Sequence, residues 1–139
     1  MIPIYRAKEK DRDEYIEGYY NPPVYNRKNK IIFDHFISQV KGDNINIDPK
    51  TLSIHFKDMI ASDSDRLLPN GEKDLRIFAS LSESGKGGDI CNVWIGKESG
   101  KPTREKITCI FERYKAVFGR RIGYDYFAYN TKVVIGIQK

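Results

Sequence analysis

Apolar side chains in this chain recur mainly at every second position, in short runs separated by turn residues. Leu52, Ile54 and Phe56 alternate with Ser53, His55 and Lys57. A period of two sends successive side chains to opposite faces of a strand. The same pattern predicts strands over 2–7 and over Tyr15, Ile16, Gly18, Tyr19 and Tyr20, joined by a charged turn at 8–14. Together they read as an N-terminal hairpin that Pro22-Pro23 closes. Residues 31–40 read as one further strand, ended by Lys41-Gly42-Asp43-Asn44. Ile45 and Ile47 predict a short one, and Asp48-Pro49 a turn, because proline holds the residue before it extended. Residues 58–68 read as an irregular polar surface.

Beyond the turn dipeptide Asn70-Gly71, strands are expected over 75–81 and 90–95, with a turn-rich connection over 96–104. Ile107, Cys109 and Phe111 alternate with Thr108, Ile110 and Glu112, so 103–118 is read as strand. A helix is the competing reading there, capped by Thr103, with Lys106, Ile110, Tyr114 and Val117 on one face. Residues 124–129 alternate again, Asn130-Thr131 reads as a turn, and 133–137 as a last strand. Many short strands between turns predict a mainly β protein, barrel-like or multi-sheet, with little helix. A chain of 139 residues suggests one domain over 1–139, with the hairpin at 1–21 as its candidate subdomain.

Composition supports this reading. Nine Tyr, seven Phe and one Trp suit half-buried pleated surfaces. The net charge of +5 is unevenly spread: residues 1–70 carry 11 basic and 11 acidic side chains, residues 71–139 carry 13 and 8. The second half therefore supplies the whole excess. The N-terminus lacks a signal-peptide pattern and no apolar run is long enough for a membrane helix, so a cytoplasmic protein without membrane contact is expected. Cys91 and Cys109 each lie in an apolar run and read as buried, reduced thiols.

The glycine loop is the first candidate for chemistry. A phosphate loop needs Gly, four spacers and then Gly-Lys-Ser/Thr. Here Gly85-Lys86 is followed by Gly87, and Ser80 stands five positions before Gly85. Asn70, Gly71, Gly87, Gly88 and Asp89 are therefore read as a structural loop, with Gly87 and Gly88 at backbone angles that side chains forbid. Asp89 could serve an enzyme only if it sat in a pocket. His35 and His55 lie in alternating apolar segments and read as structural. The spacing of histidines and cysteines fits no zinc site, and no metal or cofactor is expected. Arg113, Lys115, Arg120 and Arg121 interleave with Tyr114, Phe118, Tyr124, Tyr126 and Tyr129. Cations that follow a backbone and rings that stack on bases suit single-stranded nucleic acid, so Arg113, Lys115, Arg120, Arg121, Tyr124 and Tyr126 are its candidate residues.

Several short segments together resemble the YopX-like family of phage and prophage proteins. They are Ile4-Tyr5-Arg6-Ala7-Lys8, Ile16-Glu17-Gly18-Tyr19 and Asp48-Pro49-Lys50-Thr51-Leu52. Asn70-Gly71, Ile77-Phe78, Gly88-Asp89-Ile90 and Val134-Ile135-Gly136 complete the set. The chain departs from the family pattern at 79–87, where many members have only one or two residues. The resemblance implies a β-rich fold and a mobile-element origin, and assigns no catalytic residues. The resulting expectation is a non-enzymatic accessory or adaptor protein acting through protein–protein contact, including self-association. Binding of single-stranded nucleic acid is the alternative.

Overall fold

The structure, a computed structural model, describes residues 3–97, 103–112, 115–118 and 126–139, and the side-chain surroundings of 3–93, 104–112 and 132–139. It is mainly β, as the alternation predicts, with about half of the described residues in strands. The strands in chain order are β1 (Ile4–Lys8), β2 (Tyr15–Asn21), β3 (Val24–Tyr25), β4 (Ile31–Phe33), β5 (Phe36–Ser38) and β6 (Asn44–Asn46). There follow β7 (Ser53–His55), β8 (Asp63–Ser64), β9 (Ala79–Ser80), β10 (Asp89–Lys97), β11 (Thr103–Glu112), β12 (Lys115–Phe118) and β13 (Tyr126–Ile137). One 11-stranded mixed sheet runs in the order β6-β5-β2-β1-β7-β9-β11-β10-β13-β8, with β12 paired to β11. β3 and β4 form a separate two-stranded sheet.

Several elements differ from the sequence expectation. Residues 31–40 do not form one strand: Asp34 and His35 interrupt them, leaving β4 in the small sheet and β5 in the large one. The Asp34 carboxylate accepts a hydrogen bond from the backbone N–H of His35, a local bond that competes with the ladder. Of 75–81 only Ala79–Ser80 is strand. The polar segment 58–68 contains β8, which pairs with β13. Asn130-Thr131 is not a turn but part of the continuous β13. The extra residues are absorbed as a register shift against β10 between Val93 and Ile95. The 103–118 segment is two paired strands, β11 and β12, in place of the competing helix.

Asp48-Pro49 does turn, as the start of a single 3-10 turn at Pro49–Thr51, with the Asp48 carboxylate accepting from the N–H of Lys50. Two apolar clusters form the core. One gathers Ala7, Ile37, Ile47 and Leu52; the other gathers Ile77, Ala79, Cys91, Val93, Cys109 and Val134 with their neighbours. β7 lies inside, so Ser53, Ile54 and His55 are all buried, and its alternation does not separate core from solvent.

The glycine loop is the seam. Gly87 has φ +82°, and a Cβ there would collide with the Thr51 carbonyl. Gly88 does not need a positive φ; its constraint is space, since a Cβ would lie 2.5 Å from the Cys109 carbonyl oxygen and 2.8 Å from the Ser80 nitrogen. Both amides are engaged, Gly87 N–H to the Gln138 carbonyl at 2.8 Å and Gly88 N–H to the Gly85 carbonyl at 3.0 Å. The loop is therefore a close crossing of backbones, with its amides committed to protein carbonyls. Gly42 offers the control: φ +90° but nothing within 4 Å. Gly42→Ala is expected to cost about 1 kcal/mol and Gly87→Ala roughly 2–5 kcal/mol, because the second adds a clash to the strained angle. Urea denaturation of the two variants measures the difference; equal costs would show that the Thr51 contact constrains nothing.

Candidate functional site

The most unusual chemistry in the described structure is a buried network of charges that alternation alone does not predict. Arg6, in the middle of β1, is only 3% exposed, and Asp89, at the start of β10, is fully buried. Their side chains meet at 2.8 Å. The same guanidinium nitrogen donates to the Gly87 carbonyl at 2.8 Å, which ties β1 to the glycine loop. Arg66, just beyond β8, donates to both Asp89 oxygens, at 2.7 and 3.1 Å. The backbone N–H of Phe78 adds a fourth bond to Asp89 at 2.8 Å. Asp89 thus has two cations and one amide around one carboxylate, which is what a buried charge requires.

The network continues outward. Arg66 donates to Asp74 at 2.9 Å and to the Arg76 carbonyl at 2.8 Å. Arg76 holds Asp74 at 2.9 Å and forms a two-pronged pair with Glu17 of β2, both bonds 2.9 Å. Three guanidiniums and three carboxylates therefore balance. The buried ring of Phe78 stands among the cations, with the guanidinium carbons of Arg6, Arg76 and Arg66 at 4.4, 5.2 and 5.8 Å from its centre. The His55 ring lies 5.4 Å away, and its Nδ1–H donates to the Ile77 carbonyl at 2.9 Å. Arg6 Nε is the buried side-chain atom left without a partner among the described residues.

Titration follows these surroundings. Burial would raise the Asp74 carboxyl, but hydrogen bonds from Arg76 and the charges of Arg66 and Arg76 outweigh it and hold it at about 2. Burial lowers His55 below its ordinary value, only partly offset by its bond to Ile77. Burial pushes the Cys91 thiol up to about 12 and Cys109 higher still. Both cysteines are free and buried on the paired strands β10 and β11, where Cys91 faces Ile107, two residues before Cys109. Such thiols pack as small apolar groups.

The second notable feature is the β3–β4 arm. Val24, Tyr25, Ile31, Ile32 and Phe33 are each about half exposed, from 47% to 58%. The register pairs Val24 with Phe33 and Tyr25 with Ile31, so Ile32 is the extra residue of a bulge. The tip is closed by Asn26: its N–H donates to the Lys30 carbonyl at 2.8 Å, and its side-chain oxygen accepts from the N–H groups of Lys28 and Lys30 at 2.9 and 3.0 Å. A sequence reading of 31–40 as one strand hides this hairpin. Its signal was present in Val24-Tyr25 and Ile31-Ile32-Phe33 flanking a polar tip.

The residues expected to form sites fall as follows. Asn70-Gly71 does form a turn: the Gly71 N–H donates to the Leu68 carbonyl at 2.9 Å, and Gly71 has φ +86°. Asp89 is less a loop residue than the centre of the charge network. Arg113, Arg120, Arg121 and Tyr124 lie outside the described residues. Lys115 pairs with Glu112 at the end of β11, whereas Tyr126 pairs with Lys97, beyond the start of β11. Nine residues of strand separate those ends, roughly 30 Å, so the two do not share one spot. Missed in the sequence were Arg6, Glu17, Arg66, Asp74 and Arg76. Asp74, Arg76 and Phe78 alternate with Leu75 and Ile77, which is a visible sign of charges sharing a face with an aromatic ring.

Among the described residues no group of three His, Cys, Asp or Glu side chains could hold a metal ion, and no helix is long and apolar enough to cross a membrane. No protein-family model, curated protein or solved structure matches the chain.

Two outcomes follow from the network. Asp89→Ala leaves the buried Arg6 without its counter-charge and is expected to cost roughly 3–5 kcal/mol in urea denaturation; a cost below about 1 kcal/mol would remove Asp89 from its central place. The pH dependence should have two limbs. His55 charges more readily unfolded, so stability is full above about pH 6.5 and declines as the pH falls below it. Asp74 has the depressed value, so its contribution of about 2–3 kcal/mol is full above about pH 4 and fades as the pH drops towards 2. Urea midpoints measured from pH 8 to pH 3 read both, and His55→Gln should flatten the upper limb alone.

Proposed function

We propose that this protein is a non-enzymatic accessory or adaptor, of phage or prophage origin, that works by protein contact through the β3–β4 arm. The observation that carries this reading is the arm's exposure. Five large apolar side chains stand half in solvent on a two-stranded sheet that is not hydrogen-bonded to the main one. An isolated two-stranded sheet is marginal in water, and an apolar patch of this kind signals a surface that is covered in use. Val40 and Tyr19, which flank the arm in sequence, are 90% and 49% exposed.

The network supports the same reading from the other side. Asp89, the carboxylate that the sequence singles out, has both oxygens occupied by guanidinium and backbone donors. Its chemistry is that of a structural tie. The segments that resemble YopX-like proteins also converge there: Arg6, Glu17, Phe78 and Asp89 each belong to one of them. In this chain those four residues serve architecture.

A photo-crosslinking phenylalanine analogue at position 33, compared with one at the exposed position 57, tests the reading in cells. A protein adduct at 33 and none at 57 is expected. Equal labelling at the two positions, or none at 33, would overturn it, and an adduct at 33 that nuclease removes would replace it with nucleic-acid binding.

A further inference from the structure

We infer that the arm's occupant is the arm of a second copy of this chain, laid antiparallel about a two-fold axis through Ile32. This inference rests on the reading of the arm as a contact surface and specifies its partner. The argument comes from the order of residues along β4 and its flanks: Lys30, Ile31, Ile32, Phe33, Asp34. Two copies of this stretch, antiparallel and centred on Ile32, place Ile32 against Ile32, Ile31 against Phe33 and Lys30 against Asp34. The segment is complementary to itself in both shape class and charge, the property that a two-fold interface requires.

Charge selects this orientation over others. The arm tip carries Arg27, Lys28 and Lys30 and no acidic residue occurs between Gly18 and Phe33, whereas Asp34 stands at the root. Parallel arms would set one basic tip against the other. Antiparallel arms carry the tips to opposite ends and bring each Lys30 to the other root. One Asp34 oxygen is held by the His35 N–H, and the other faces only Lys10 at 3.9 Å in a partly exposed pair that Lys30 of the second copy can join or replace.

Area sets the strength. Val24 and Tyr25 are successive on β3 and point to opposite faces, so a second copy on one face covers only part of the five side chains, roughly 300 Å² per copy, the size of a weak and transient pair. The bulge at Ile32 breaks the regular ladder on β4. A bulged edge resists indefinite addition of strands, so side-chain packing across the two-fold stops at two copies.

Sedimentation of the full chain tests this, with thermal midpoints confirming that each variant folds. At about 1 mM, a concentration that populates even weak pairs, the wild type should sediment as a dimer. Ile32→Asp should weaken it at least about tenfold. Lys30→Asp and Asp34→Lys should each weaken it about tenfold by opposing like charges. Mixing those two variants should restore dimers, because each then meets the opposite charge at both ends. A monomeric wild type, unaffected single variants, or a mixture no stronger than its components would overturn the second copy as occupant. If that happens while the position-33 analogue still crosslinks to a different protein, the contact reading survives; if the crosslink also fails, both fall.

Discussion

One buried carboxylate organises the fold. Asp89 is taken wholly out of water, which is tolerable only because Arg6, Arg66 and the Phe78 amide converge on it. Those three groups come from β1, from the segment after β8 and from the residue before β9. The Asp89 N–H also donates to the Phe78 carbonyl, so the starts of β9 and β10 touch although β11 lies between those strands in the sheet. The sheet must therefore curl at this point. Gly87 and Gly88 allow the curl, because the backbones of Thr51, Ser80 and Cys109 press on them too closely for any Cβ.

Buried ion pairs are weak evidence of stability in themselves, since desolvation cancels much of the attraction. Their worth here is geometric. Apolar side chains at these positions could pack in several registers, whereas a guanidinium fork and a carboxylate fit in few. The network spans the two apolar clusters: Arg6 adjoins Ala7 of one, and Phe78 lies in sequence between Ile77 and Ala79 of the other. The same constraint leaves the arm out. None of the charged side chains of the network lies between Pro22 and Phe33, and the arm's apolar residues find no place in either cluster. An apolar projection that neither cluster covers is the physical basis of the proposed contact role.

Strand positions were legible in the sequence wherever alternation was clean, as at β1, β2, β10 and β11. The turn at Asn70-Gly71 was legible too, because its chemistry is local. Alternation misled at β7, where Ser53 and His55 look outward-facing yet are buried, because both faces of that strand are covered. It misled again at 31–40, since the break at Asp34 depends on one side chain turning back to the next amide. The charge network was hidden for a different reason. Arg6 and Asp89 are 83 residues apart, and nothing local distinguishes a lysine or arginine bound for solvent from one bound for a carboxylate in the core. The arm was half legible: its apolar run was seen, but exposure is decided by what the rest of the chain declines to cover.

The distance along the chain between partners sets a timetable for synthesis. Arg6 leaves the ribosome long before Asp89, and β10 long before β13, its most extensive neighbour. In between, the ion pair cannot form, and β10, five of whose nine residues are apolar, lacks the strand that pairs with one of its edges. The fold closes only when Gln138 reaches the glycine crossing, where its backbone exchanges hydrogen bonds with Gly87 and Gly88. The sheet around the glycine crossing is thus completed only by β13 and Gln138, the last of its neighbours to be made.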